Sequence, residues 1–85
     1  MNLDEYLEHS NFRVGVFAKR MDRAPSVIYK WRKRWMRPEF ETVLEIVDFS
    51  NQLVKTEDLG YKPDGTKLIP WTLKELRNNL KTEVF

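Results

Sequence analysis

Two prolines constrain this chain more than any other residues. A helical apolar pattern runs from Val14 to Val47, and Pro25 and Pro38 cut it into three pieces. Inside a helix a proline removes a backbone donor and clashes with the preceding turn, costing about 3 kcal/mol; at the first helical position its missing N–H costs little. Pro25 therefore starts a helix, and Pro38 ends one or starts the next. The first piece places Val14, Phe17, Ala18 and Met21 at i, i+3, i+4 and i+7, one face of a helix over about 13–21. The second predicts a buried stripe of Ala24, Val27, Ile28, Trp31 and Trp35, with Ser26, Tyr29, Lys30, Lys33 and Arg34 pointing away. The third, Glu39 to Phe49, repeats the pattern through Phe40, Val43, Leu44 and Val47. Upstream, Leu3, Tyr6 and Leu7 predict a first helix over about 2–9, with acidic residues in its first turn, and a break near Ser10–Asn11.

Past Asn51 the periodicity weakens. Lys62-Pro63-Asp64-Gly65-Thr66 predicts a tight turn, with a hairpin over about 60–69 as its extended form. Thr72 and Glu75 have capping-box spacing, so a last helix is expected over about 72–81, with Leu73, Leu76 and Leu80 as its apolar stripe. The expected fold is all-α: one compact domain of four to five helices over 1–85. Its core covers about 1–51, and an extension over 52–85 is a candidate dimerisation element. With 85 residues and 41% hydrophobic composition, the core is modest and self-association would help it. The chain has no cysteine, which excludes disulfides and thiolate metal sites. No positively charged leader and no apolar run of about 18 residues is present, so a cytoplasmic, membrane-free protein is expected.

Charge is spread unevenly. Residues 11–38 hold nine basic groups against Asp22 alone, a net of +8, whereas residues 1–10 carry −3 and residues 39–59 carry −5. Such a block points to a polyanionic partner met by one part of the chain. Two helices joined by a three- or four-residue turn, the second basic on its outer face, suit a major-groove reader. Ala18 is small enough for the two helices to cross closely.

The run Phe17-Ala18-Lys19-Arg20-Met21, then Ser26-Val27-Ile28-Tyr29-Lys30-Trp31, then Arg37-Pro38-Glu39-Phe40, resembles the Cro/repressor-type helix-turn-helix family of phage and bacterial transcription regulators. The likeness covers about residues 10–51. It departs at the turn, where Asp22 stands in the usual glycine position, Arg23 in a small apolar one and Ala24 in the usual Ser/Thr cap. Asp tolerates the left-handed conformation better than most side chains. The resemblance implies a sequence-specific regulator, a repressor binding a palindromic operator in double-stranded DNA as a homodimer, with no cofactor. It implies that Ala24, Pro25, Ser26, Tyr29 and Lys30 face base edges, Lys30 donating to guanine and Ala24 or Pro25 touching a thymine methyl. Lys33, Arg34, Arg37 and Arg13 are the implied phosphate contacts.

Competing assignments stay open at several residues. Trp31 and Trp35 could stack on single-stranded bases, but their spacing favours core packing. Tyr29 fits groove contact and plain surface equally. His9 is a lone histidine, and Glu41/Glu45 read as a solvated helix face, so no enzyme is expected. The Leu73/Leu76/Leu80 stripe suits either the core or a dimer contact. An alternative function is a helix-turn-helix-derived interaction module, an antitoxin or adaptor, motivated by the acidic segment and by Trp71 and Phe85.

Overall fold

A computed structural model describes residues 1–83, and side chains as far as residue 79. The described residues form an all-α domain: α1 (Leu3–His9), α2 (Val14–Arg20), α3 (Pro25–Arg32), α4 (Phe40–Phe49), a 3₁₀ turn (Thr56–Leu59) and α5 (Leu73–Glu83). Pro25 occupies the start of α3, as its fixed φ requires. Asn2 caps α1 through a reciprocal box with Glu5, its side chain accepting from the Glu5 amide at 2.8 Å.

The first four helices all stop in the same way. The residue after the cap turns left-handed at Asn11, Asp22, Arg34 and Asn51, with φ between 53° and 58°. The next amide then reaches back to a carbonyl in the helix: Phe12 to Leu7, Arg23 to Ala18, Trp35 to Lys30 and Gln52 to Val47, at 2.8 to 3.1 Å. This Schellman geometry satisfies carbonyls that a helix end would otherwise leave unpaired. It also turns the chain sharply, which lets such short helices wrap one core.

That core joins Leu3, Tyr6 and Leu7 of α1, Phe17 and Ala18 of α2, Ile28 and Trp31 of α3, and Val43 and Ile46 of α4. It does not stop at residue 51, because Val54, Leu59 and Tyr61 are buried in the same cluster. Three positions differ from the expected stripes. Ala24 lies exposed at the cap of α3, one residue before the helix. Trp35 is 56% exposed, because the left-handed Arg34 takes it out of helical register. Leu44 is also exposed, and Ile46 faces the core instead. The true face of α4 is thus rotated from the one that apolar spacing suggests.

Around the Asp-Gly turn the Lys62 amide donates to Thr66 O at 2.8 Å, and Gly65 has φ 93°. The expected hairpin shrinks to one antiparallel bridge, Tyr61 to Lys67. The capping box of α5 forms as spaced. Glu75 N donates to Thr72 Oγ1 at 3.2 Å, and Thr72 N to Glu75 Oε1 at 3.0 Å. The side chain of Leu80, and Phe85 altogether, lie outside the described residues. No helix among the described residues is long and apolar enough to cross a membrane.

Candidate nucleic-acid interface

α2 and α3 pack directly on each other, joined by residues 21–24. Ala18, 1% exposed, sits where the helices meet, and its carbonyl holds the turn through the Arg23 amide at 2.9 Å. Asp22 supplies the left-handed residue at φ 56°. Arg23 folds back over the turn and donates to Thr42 Oγ1 of α4 at 3.2 Å. An open cleft of about 410 Å³, lined by Gly15, Lys19, Asp22, Ala24 and Pro25 among others, faces solvent beside the turn. No side chain caps the N-terminus of α3; Pro25, its first residue, has no N–H to satisfy, and the Val27 amide donates to Ala24 O at 3.0 Å.

α3 is strongly two-faced. Ile28 and Trp31 are buried. Ser26, Tyr29, Lys30 and Lys33, spaced i, i+3, i+4 and i+7, are all exposed. Ala24 and Pro25 continue that outer surface at the helix start. Lys33 places its ammonium 5.6 Å from the centre of the Tyr29 ring, and Tyr29 meets Trp35 edge-on at 5.4 Å. Arg34 is exposed, with its guanidinium 5.3 Å from the Trp71 ring. Arg13 is exposed at the start of α2.

Arg37 departs from its expected role as a phosphate contact. Its side chain is only 9% exposed and pairs with Glu75 at 2.8 Å. It also donates to Gly60 O at 3.2 Å and Leu68 O at 2.6 Å, and it lies over the Tyr61 and Trp71 rings. The cause is the loop after α3. Pro38 is buried and its carbonyl accepts from the Tyr61 hydroxyl at 2.7 Å, so the loop folds inward and carries Arg37 beneath α5. Glu75 answers with both oxygens and also accepts from the Trp71 amide at 2.9 Å. The Arg37 hydrogen bonds, helped by the backbone amides, hold its carboxyl down at a pKa of about 2. Gly60 makes room for this clamp, since a Cβ there would lie 2.8 Å from Arg37 Nε.

The basic block therefore divides. Arg32 is tied to Asp4 at 2.6 Å, Arg37 is engaged inside the fold, and Arg23, though exposed, is turned onto Thr42. Arg20 lies over the Phe49 ring. Arg13, Lys19, Lys30, Lys33 and Arg34 have no acidic partner among the described residues. Sequence reasoning missed Trp35 as a surface aromatic, and missed Lys74 and Arg77 of α5. The first two share an open groove with Arg77. Nothing local in the sequence marks Arg34 as left-handed, and that one torsion decides where Trp35 goes.

Together these features define a small all-helical domain carrying an exposed basic helix that is braced from behind. Compared with protein-family models, curated proteins and solved structures, the chain matches none.

Proposed function

We propose that the chain is a sequence-specific regulator of transcription that reads duplex DNA with the outer face of α3. The observation that carries this is the division of α3. Ile28 and Trp31 fix the helix from behind, while Ser26, Tyr29, Lys30 and Lys33 are exposed along the opposite side. Fixed orientation and exposed, unpaired cations are what base-edge contact requires. In this reading Ala24 and Pro25 sit at the groove-entering tip. Lys30 and Ser26 meet base edges, and Lys33, Arg34 and Arg13 meet phosphates. The chain acts in the cytoplasm as a repressor, and a homodimer presents two copies of α3 to a palindromic operator.

In vitro selection of bound duplexes tests the reading. A palindromic consensus, bound more tightly than a scrambled duplex, is the expected result; equal binding to every duplex would sink it. A protein-interaction module is the second reading, supported by the exposed Val16 beside Phe12 and Phe49. Absence of duplex binding by the native chain would favour that module.

A further inference from the structure

We propose that the groove where α5 meets the end of α3 is a second DNA contact, gripping the sugar-phosphate backbone beside the groove that α3 enters. The inference rests on the reading of α3 given above. The groove, about 530 Å³ and open to solvent, is lined by Trp35, Leu73, Lys74, Arg77 and Asn78. Lys74 and Arg77 stand one turn apart on α5, and both are exposed. Neither has an acidic partner among the described residues. Glu75, the acid in the first turn of α5, is already taken by Arg37.

Two further observations join this groove to α3. Trp35, 56% exposed, meets Tyr29 edge-on at 5.4 Å, and Lys33 lies over that same Tyr29 ring. A continuous surface thus runs from Lys33 through Tyr29 and Trp35 to Lys74 and Arg77. Exposed aromatics interleaved with unpaired cations fit a sugar-phosphate chain: the rings cover sugars, and the cations neutralise phosphates. The groove is also held in register. The Leu73 amide donates to Arg34 O at 2.9 Å, and the Arg37–Glu75 pair locks the first turn of α5 to the loop after α3. α5 therefore keeps one position relative to α3, so both can meet the same duplex.

The test compares the native chain with Lys74→Ala/Arg77→Ala and with the charge-conserving Lys74→Arg/Arg77→Lys. Each is titrated with a selected duplex and with a scrambled one of equal length, between 50 and 200 mM NaCl. The alanine pair is expected to weaken binding to both duplexes by the same factor. It should make the slope of log affinity against log salt shallower by about two units, while the preference for the selected site stays. The charge-conserving pair should restore the native slope. Phosphate-ethylation interference should show contacts at the edge of the site that the alanine pair loses. A native slope and native interference pattern in the alanine pair would overturn this inference and leave the α3 reading intact. Failure of the native chain to bind either duplex would overturn the α3 reading itself, and this inference with it.

Discussion

Asp22 holds φ at 56° in the turn between α2 and α3, a conformation that costs most L-residues roughly 1–2 kcal/mol and aspartate less. Glycine adopts it freely but loses more entropy on folding. Asp22→Gly is therefore expected to raise stability by about 0.5 kcal/mol, whereas Asp22→Val, β-branched, should lower it by about 1–2 kcal/mol. Urea denaturation of the two variants checks both signs. Asp22 was legible in the sequence because it fell at a turn position between two strong helical patterns. Arg34 was not. Arginine has no local preference for the left-handed region, so helical periodicity ran on through it and placed Trp35 in the core. The two residues have nearly the same torsion, φ 56° and 58°, yet only Asp22 leaves a trace in residue type.

α5 owes its start to Thr72 and its position to Glu75. The first was readable, since a Thr three residues before a Glu ahead of an apolar run is a local capping signal. The second was not, because the partner lies 38 positions away and Arg37 looked like one more cation in a basic run. Glu75 has a folded pKa of about 2 against an ordinary value of 4.5. A carboxyl with a depressed pKa stabilises the fold fully above its unfolded value, and that contribution fades as pH falls from about 4.5 towards 2. Glu75→Gln should therefore lose on the order of 2 kcal/mol at neutral pH, with the pair's partial exposure discounted. It should also flatten the acid limb of the stability curve over that window. Thermal melts at stepped pH measure this, and an acid limb as steep as the native one would contradict the role given to Glu75. Arg37→Ala should cost about 3 kcal/mol, because it strands a half-buried carboxylate among backbone donors. On the proposed DNA-reading function, the effect of this variant on duplex binding should come through α5 and not through a lost phosphate contact.

At the scale of the whole molecule, the all-α architecture was legible, since the helices carried their apolar period and Pro25 and Pro38 marked the breaks before α3 and α4. The rotated face of α4 was not, because Leu44 and Ile46 are equally apolar and only the packed tertiary structure chooses between them. The net charge of residues 11–38 overstated the cations left for a partner, because Asp4 and Glu75 lie outside that segment and take Arg32 and Arg37. What remains free is spread over Arg13 and Lys19 of α2, Lys30 of α3, and Lys33 and Arg34 just past it, and Lys30 is the one on α3 itself. If α3 reads duplex DNA as proposed, Lys30→Ala is expected to reduce discrimination at one base pair by about 1–3 kcal/mol. Competition with duplexes altered at single positions measures that loss, and a uniform loss across all sequences would assign Lys30 to phosphate instead. The three tryptophans occupy three different surroundings: Trp31 is 3% exposed in the core, Trp71 is 6% exposed beside the Arg34 and Arg37 guanidiniums, and Trp35 is 56% exposed. The chain thus carries its own optical reporters. Acrylamide should quench one emitter readily, and Trp35→Phe should abolish that fraction while leaving the blue-shifted emission of the other two. Light from a single side chain would then follow events at the edge of α5, separately from the unfolding of everything behind it.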